Sequence, residues 1–396
     1  MWARAAWLIT LAAMLLQPQP LLAEAPSILI GLTAELQHPT SDAGQAIRAG
    51  IRAAIADINA AGGAIPGRLL ELVERDDRGL PARSIDNFRE LAAMPTMAGI
   101  FAGRSVSLGA ELAKDADSLK TPLLIPWVGA DNLPLGETPA RFVFRLAITE
   151  RESLVLMLND ARKRGFKRIG VLLPSNAWGR RVAREAQALS LSKSGDSLEV
   201  IESQWYEPSA RSLLSAYKAA LERGAESLLL ISNESDSRII LRELVASPEI
   251  LRLPLYLHWT AVGGRSALVL PAEAKGLDLS VVHPVLPDAR QSAAVLERIA
   301  KQLPERYSGI VPVTAAALQA YDLTRLLGMA IARSGTGDRV RIRSAMLDLG
   351  EHRGMLKHYR NPYAQGRNNA LAAADVALLR LRSDGALEFL RNTARR

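Results

Sequence analysis

An apolar, strand-like run followed by a long amphipathic helix limits the folds open to this chain more than any other feature. Residues 27–33 read Ser-Ile-Leu-Ile-Gly-Leu-Thr, which is typical of a buried strand. Residues 44–63 follow with one apolar helical face, made of Ile47, Gly50, Ile51, Ala54, Ile55 and Ile58. Asn59 and the pair Gly62 and Gly63 predict the end of that helix. A buried strand, a polar loop and a helix predict the opening unit of a parallel α/β sheet.

The alternation of strand and helix patterns continues along the chain. It runs through residues 69–164 and starts again at residue 168, so two βα sets follow one another. This order predicts an α/β fold with two Rossmann-like, doubly wound lobes. Past residue 284 the pattern becomes helical and ends in a hairpin over residues 375–390. Because no low-complexity linker separates the two sets, we expect short crossing segments that leave a cleft and form a hinge.

The first 23 residues are typical of an export signal. Arg4 precedes an almost wholly apolar run over residues 5–16, and Ala23 offers a cleavage site. The run is short for a membrane span, although an uncleaved anchor is an alternative. The chain has no cysteine, which excludes disulfides, thiolate metal sites and a lipid-modified N-terminal cysteine. We therefore expect the mature chain to be free in the periplasm.

Charge and motifs argue against several other functions. The net charge is +8, but Lys and Arg are scattered over amphipathic helices without interleaved aromatic residues, so a solvated surface is favoured over nucleic-acid binding. No dinucleotide-binding glycine motif, P-loop or nucleophile elbow is present, which predicts neither a cofactor nor an enzyme. His352 and His358 do not share a helical face, so a metal pair is not favoured. Asp76 and Asp77 are adjacent in an extended segment, which favours a turn over a catalytic carboxylate pair.

Several short motifs stand in a fixed order along the chain: Ile-Asn-Ala-Ala-Gly-Gly at 58–63, Pro-Gly-Arg at 66–68, Thr-Pro-Leu-Leu-Ile-Pro at 121–126, Trp-Gly at 178–179 and Ala-Tyr-Asp at 320–322. Together they resemble the type I periplasmic solute-binding proteins of ABC importers, of the branched-chain amino acid-binding family. The resemblance implies capture of a small molecule by lobe closure and delivery to the permease subunits of an importer. It implies one lobe from residues 26–145 plus about 284–348, and a second from 146–283 plus about 349–396.

The ligand of an open α/β sheet lies beyond the carboxyl ends of its strands. This rule places five loops around the predicted cleft, two from the first lobe and three from the second. The candidate ligand-binding residues in these loops are Ser105, Ser107, Trp127, Gly129, Trp178, Asn233 and Trp259. In the similar receptors the first loop gives a serine and backbone donors to the ligand carboxylate, which implies that role for Ser105 or Ser107. A simple helix cap by Ser105 is the alternative.

The remaining loops depart from the pattern of the resembled family. Trp127 and Gly129 stand where the family has small residues and then a threonine, and Asn233 replaces a common aromatic residue. Trp259 or Thr260 stands where an acidic residue pairs with an α-amino group. Since a buried ammonium without a partner is costly, leucine, isoleucine and valine are expected to bind weakly.

Tryptophan is concentrated in the predicted cleft. Outside the export signal the chain has four tryptophans, and only Trp205 falls outside the cleft loops. A preference of tryptophan for half-buried positions is the simpler explanation. Three such rings around one cleft would suit a flat aromatic ligand or a quaternary ammonium. We therefore expect capture of an amino acid-like solute, an amide, an aromatic acid or a betaine. A ligand-sensing subunit of a membrane signalling protein is an alternative, and an exported α/β enzyme is a remote one.

Overall fold

The computed structural model describes residues 26–37, 42–103, 109–129, 142–191, 198–208, 210–261, 276–381 and 387–389. The predicted export signal, Ser105 and Ser107 lie outside these residues. Within them the chain forms two separate, largely parallel sheets, each covered by helices on both faces. The α/β fold with two doubly wound lobes is therefore confirmed.

The first sheet has strand order β2-β1-β3-β4-β5, and all of its pairings are parallel. Its strands are β1 (Ile28–Ala34), β2 (Leu70–Asp76), β3 (Met97–Ala102), β4 (Leu123–Ile125) and β5 (Val143–Arg145). The connecting helices are α1 (Asp42–Ala60), α2 (Pro81–Ala92) and α3 (Gly109–Ser118). The core of α1 includes Phe101 of β3, whereas the core of α2 and α3 includes Ile100, so neighbouring residues of β3 serve opposite faces.

Helix α1 forms and ends as its sequence predicts. Its apolar face is buried against the first sheet. At its end the side chain of Asn59 donates to the carbonyl oxygen of Leu70 at 2.9 Å and accepts from the amide of Leu70 at 2.8 Å. Gly62 and Gly63 then take positive φ angles that L side chains avoid. Asn59, which ends helix α1, therefore also connects that helix end to the start of β2 by hydrogen bonds.

The second sheet has strand order β15-β14-β11-β10-β9-β6-β7, with β8 also paired to β6. Its strands are β6 (Arg168–Pro174), β7 (Glu199–Val200), β8 (Gln204–Tyr206), β9 (Ser227–Leu230), β10 (Leu255–Leu257), β11 (Leu279–Pro284), β14 (Val376–Leu381) and β15 (Leu387–Phe389). Among the described strands of this sheet, β14 alone runs against the others, so its pairings with β11 and β15 are antiparallel. The predicted strand over residues 198–205 is divided into β7 and β8, which pair with opposite ends of β6.

Four helices cover the second sheet: α4 (Glu150–Lys163), α5 (Ala177–Leu191), α6 (Leu214–Glu222) and α7 (Glu234–Ala246). Leu229 belongs to the core of α4 and α5, and its neighbours Leu228 and Leu230 belong to the core of α6 and α7. Helix α6 begins only at Leu214, although residues 210–213 before it also lie in the described chain. The alternation of buried residues along β9 explains why helices are needed on both sides of the sheet.

The last third of the chain returns to the first sheet before it completes the second. Its helices are α8 (Ala289–Ala300), α9 (Thr314–Ser334) and α10 (Arg339–Met346), and a hairpin follows from β12 (Glu351–Arg353) and β13 (His358–Arg360). Helix α9 packs along α1, where a Cβ at Gly50 would overlap the carbonyl oxygen of Ala317. The absence of a side chain at Gly50 lets the two helices approach closely.

The sequence did not predict the hairpin of β12 and β13. Its turn is bound to α9 by Asp322, which accepts hydrogen bonds from the amides of Met355 (2.9 Å) and Leu356 (3.0 Å) and from the Tyr359 hydroxyl (2.7 Å). His352 and His358 lie on the two facing strands, and His352 stacks on Tyr359. The predicted boundary between the lobes at residue 349 stays a prediction, and the hairpin beyond it packs on α9.

Three chain segments cross between the sheets, and hydrogen bonds connect them. The amide of Arg145 donates to Asn368, and its carbonyl accepts from Ala370 at 2.9 Å. The side-chain amide of Asn369 bonds both backbone groups of Ala147. The amide of Val285 donates to the carbonyl of Asp375 at 2.8 Å. All three crossings therefore meet in one region, which is the arrangement expected of a hinge.

Candidate functional site

A cavity of about 620 Å³ lies between the two sheets. The first lobe contributes residues that follow β1, β2 and β4, and the second contributes residues that follow β5, β6, β9 and β10. The cavity therefore lies beyond the carboxyl ends of the strands, where open α/β sheets bind their ligands. The loops after β1 and β2 were not among the five that the sequence analysis placed at the cleft.

The structure brings five of the seven candidate residues together. Trp127, Gly129, Trp178, Asn233 and Trp259 all line the cavity. The two candidate serines lie outside the described residues. Trp205 does not line the cavity, and its side chain is 42% exposed. Contact of the five residues with a ligand stays a prediction.

One side of the cavity is a continuous set of rings, which we call the aromatic wall: Trp127, Trp178, His258 and Trp259. The ring centroids of His258 and Trp259 lie 3.5 Å apart. Trp178 meets His258 edge to face at 5.2 Å, and Trp127 meets Trp259 edge to face at 6.4 Å. Trp127, His258 and Trp259 are buried, while Trp178 is half-buried. Each ring is held by its neighbours, so the wall is preorganised.

The Trp259 ring of the aromatic wall can take its position only because residue 129 is glycine. A Cβ at this position would lie 2.6 Å from the carbonyl oxygen of Ile148 and 2.8 Å from Cη2 of Trp259. Any side chain here would displace the indole ring or the crossing segment. The glycine that replaces the expected threonine therefore makes room for Trp259.

Glu150 holds two rings of the aromatic wall in place. Its Oε1 accepts a hydrogen bond from Nε1 of Trp178 at 2.8 Å, and its Oε2 lies 3.0 Å from Nε2 of His258. Nη2 of Arg181 lies 3.9 Å from Oε1. Burial by itself would raise the pKa of Glu150, but the charge and hydrogen bond of His258, with Arg181 and Trp178, bring that pKa below its ordinary value. Glu150 is therefore a buried carboxylate held in its ionised form.

Local sequence explains why Glu150 sits at this point. It is the first residue of α4, directly after a crossing segment, and Thr149 caps that helix. Thr149 and Glu152 form a capping box, in which the Thr149 hydroxyl accepts from the Glu152 amide and the Glu152 carboxylate accepts from the Thr149 amide. A carboxylate in the first turn of a helix is favoured by the helix dipole. The capping-box pattern was the sequence signal that could have located Glu150.

The other ring nitrogen of His258 is also engaged. Nδ1 of His258 lies 2.8 Å from the Thr260 hydroxyl, and that hydroxyl donates to the carbonyl oxygen of Ser232. The imidazole thus bridges Glu150 and the loop after β9. Thr260, which the resemblance aligned with an amine-binding acid, fixes the orientation of His258 instead of providing a carboxylate.

The lining of the cavity is also rich in carboxylates. The acidic residues that line the cavity are Glu35, Asp42, Asp77, Glu150, Glu234 and Asp236, against the cationic Arg78 and Arg181. Burial raises the pKa of Asp77, whose carboxylate accepts from the amide of Gly79 at 2.9 Å. The protein is basic overall, so this acid-rich lining is a local feature.

Glu234 is the most perturbed of these acids. From the sequence, Glu234 or Asp236 is the alternative amine-binding carboxylate only if leucine, isoleucine or valine binds tightly. It is the first residue of α7, whose N-cap Asn233 accepts a hydrogen bond from the amide of Asp236 at 3.0 Å. Burial, followed by the charge of Asp42, raises the pKa of Glu234 to about 8, although Arg238 opposes the shift. Arg238 donates to Oε1 of Glu234 at 2.7 Å.

Two further findings concern metals and membranes. In the part of the chain that the structure describes, no group of three or more His, Cys, Asp or Glu side chains could hold a metal ion. Among the same residues, no helix combines the length and hydropathy needed to span a bilayer.

Two lobes around a cleft with a lined cavity define a binding protein of the periplasmic type. The sequence matches the periplasmic binding protein family over residues 27–386, so the chain belongs to that family. No match was found among curated proteins.

Solved structures with the same fold come from several bacteria. One is a type 1 periplasmic binding protein from Bordetella pertussis Tohama I, with a TM-score of 0.75, 19% identity and coverage of 92% of this chain and 100% of that one. A second is a solute-binding protein of an ABC transporter from R. palustris, in complex with benzoate. Its TM-score is 0.72 at 18% identity, and the match covers 92% of this chain and 95% of that one. A third is a branched-chain amino acid transporter substrate-binding protein from Streptococcus pneumoniae, in complex with isoleucine. Its TM-score is 0.69 at 13% identity, and the match covers 92% of this chain and 99% of that one. At these identities the likeness is one of fold.

Proposed function

We propose that this protein is a periplasmic solute receptor that captures a small organic molecule between its lobes and delivers it to the permease subunits of an ABC importer. The observation that carries the proposal is the cavity of about 620 Å³, to which both lobes contribute residues. A molecule held there contacts both lobes at once, so binding favours the closed arrangement of the hinge. Closure would give the permease a surface that differs from that of the empty receptor.

The aromatic wall supports a solute with a flat or cationic group. Trp127, Trp178 and Trp259 present large apolar rings whose positions are fixed by Glu150, His258 and one another. Such rings bind an aromatic group by stacking or a quaternary ammonium by cation–π attraction. The carboxylates that line the cavity oppose an anionic ligand by charge repulsion. The similar R. palustris protein is in complex with benzoate, and we expect neutral or cationic solutes to bind better here.

A thermal-shift screen tests this function directly. It would compare amino acids, amides, aromatic acids, amines and betaines, because a ligand that binds only the folded state raises the melting temperature. Small-angle X-ray scattering would then follow with a solute from the screen and, as control, a close analogue that gave no shift.

We expect the radius of gyration to fall with the binding solute and to stay constant with its inactive analogue. An unchanged scattering profile at saturating solute would contradict capture by closure. A second measurement concerns location: export and cleavage after Ala23 predict a mature chain that begins at Glu24 in the periplasmic fraction, as mass spectrometry can determine.

A further inference from the structure

One carboxylate oxygen of Glu234 has no hydrogen-bond partner among the described residues. Glu234 lines the cavity and its side chain is only about one-tenth accessible, with a residue exposure of 8%. Its Oε1 is paired with Arg238, but its Oε2 has no hydrogen-bond partner among the described residues. A buried, unpaired carboxylate oxygen is costly to maintain, so its presence on a cavity wall points to a partner that enters with the ligand.

A second carboxylate approaches from the other lobe. Asp42 begins α1 and also lines the cavity, and its negative charge raises the pKa of Glu234. Its Oδ1 accepts a hydrogen bond from the Tyr307 hydroxyl at 2.9 Å. Asp42 and Glu234 therefore repel one another across the cleft when both are ionised. This repulsion opposes closure unless a positive charge or a proton stands between them.

Within the part of the chain that the structure describes, the neighbouring side chains do not supply that positive charge. The charged or titratable side chains that line the cavity or pair with Glu234 are, from the first lobe, Glu35, Asp42, Asp77 and Arg78, and, from the second, Glu150, Arg181, Asp236, Arg238 and His258. Arg181 and His258 lie beside Glu150 at the aromatic wall. The positive charge of Arg238 lowers the pKa of Glu234, but burial and Asp42 outweigh it and the pKa remains raised to about 8. An organic cation that enters with the solute would supply the complementary charge.

We infer that Glu234 and Asp42 together form a subsite for a positively charged nitrogen of the solute. The inference rests on the proposed function and names the chemical class of its ligand. A primary ammonium or a guanidinium fits the subsite, because each has N–H groups that can donate to Oε2 of Glu234 while neutralising both carboxylates. The apolar part of the same solute then lies against the aromatic wall.

The subsite differs in position from the one implied by the family resemblance. That resemblance puts the amine-binding acid in the loop after β10, where this chain has Trp259 and Thr260. Glu234 instead follows β9, and its counterpart Asp42 comes from the other lobe. A proton occupies Glu234 at neutral pH in the absence of a cation, so a bound ammonium must displace it. Binding is therefore coupled to proton release.

The test is titration calorimetry at pH 7.0 in phosphate and in MOPS, a tertiary-amine buffer, because the protonation enthalpies of the two buffers differ. The probes are a panel of arylalkyl and alkyl amines and guanidines, including phenethylamine, with 2-phenylethanol and phenylacetate as neutral and anionic analogues. We expect an amine to bind at least about tenfold more tightly than its neutral analogue and to release up to one proton. Glu234→Gln and Asp42→Asn should each lose the preference for the amine and reduce the proton release. Glu222→Gln, at an exposed position away from the cavity, should keep both.

The outcomes separate this inference from the function on which it rests. Equal binding of amine and alcohol, or a Glu234→Gln variant with unchanged amine preference and proton release, overturns the subsite. If neutral or anionic solutes close the cleft while every amine and guanidine fails, the subsite is also wrong but the receptor function stands. If no solute of any charge binds, the proposed function itself fails. A thermal melt of each variant verifies that it is folded before titration.

Discussion

The indole nitrogen of Trp178 donates a 2.8 Å hydrogen bond to the carboxylate of Glu150, which lies 28 residues earlier in the chain. This bond fixes a half-buried ring at the cavity to a buried charge behind it. The same carboxylate is bonded to His258, so one acidic residue orients two rings of the aromatic wall. The wall is therefore shaped by polar contacts that the ligand does not need to make.

Alanine substitution of the wall tryptophans should weaken ligand binding. Trp178→Ala is the most informative change, because this ring is half-buried and its loss disturbs the core least. Trp127→Ala and Trp259→Ala should have the same effect with a larger loss of stability. We expect each to reduce the binding free energy by more than about 1 kcal/mol in titration calorimetry with a solute from the screen.

Trp205→Ala is the matched control for this series, since Trp205 is exposed and does not line the cavity. It should leave affinity nearly unchanged. If all three wall variants bind normally and only melt at lower temperature, the rings are part of the core and do not bind the ligand.

Glu150→Gln should destabilise the protein at neutral pH. The change removes a buried negative charge that is hydrogen-bonded to His258 and paired with Arg181, and breaking a buried ion pair costs roughly 3 kcal/mol of unfolding free energy. Because the folded protein lowers the pKa of Glu150, the stabilisation is complete above the ordinary value of 4.5 and is lost as the pH falls through the lower folded value. Urea unfolding at pH 7 and below pH 4 should show the difference between wild type and variant shrinking in acid.

Glu185→Gln serves as the comparison, because Glu185 forms only a surface ion pair with Arg151. We expect it to change the unfolding free energy by less than about 0.5 kcal/mol. A Glu150→Gln protein as stable as this control would mean that the wall does not depend on the buried charge.

Glu234 should give the ligand-free protein an opposite pH dependence. Its folded pKa of about 8 lies above the ordinary 4.5, so the folded state holds a proton that the unfolded chain has already released. Its contribution to stability is complete below pH 4.5 and is lost as the pH rises toward 8. Between pH 5 and pH 8 the melting temperature of wild type should therefore fall relative to that of Glu234→Gln. Parallel melting curves across this range would contradict the burial of the carboxyl group in solution.

Gly50→Ala should destabilise the first lobe without changing the ligand site. The added methyl group would overlap the carbonyl oxygen of Ala317 on α9, and such overpacking costs roughly 1–3 kcal/mol of unfolding free energy. Gly337→Ala is a suitable control, because the nearest atom to its new Cβ is the flexible end of Arg68 at 3.8 Å. Chemical denaturation should separate the two variants, while both keep normal solute affinity.

The sequence predicted the architecture because its information is local and periodic. The apolar face of α1, its stop at Asn59 and the alternation of strand and helix patterns each lie within one segment. The hairpin of β12 and β13 was not predicted because its strands, Glu-His-Arg and His-Tyr-Arg, are short and polar. Its place is set by Asp322, which lies some thirty residues earlier in the chain.

The candidate site was predicted in part for the same reason. Rules for strand ends placed Trp127, Trp178 and Trp259 at the cleft, and all three line the cavity. Glu150 and Glu234 look in the sequence like ordinary acidic residues in the first turn of a helix. What distinguishes them is burial together with His258 and Asp42, residues that are distant in sequence. Such long-range pairing has no signature in a single sequence.

The packing of α9 on α1 has a consequence for the order in which the molecule is completed during translation. Helix α1 is made early, but the surface that α9 covers stays open until the ribosome has added residues 314–334. A nascent chain that ends near residue 250 therefore has two incomplete lobes, and the apolar face of α1 that α9 will cover is still exposed. The first lobe reaches its final form only late in synthesis, and no contiguous N-terminal fragment can stand in for it.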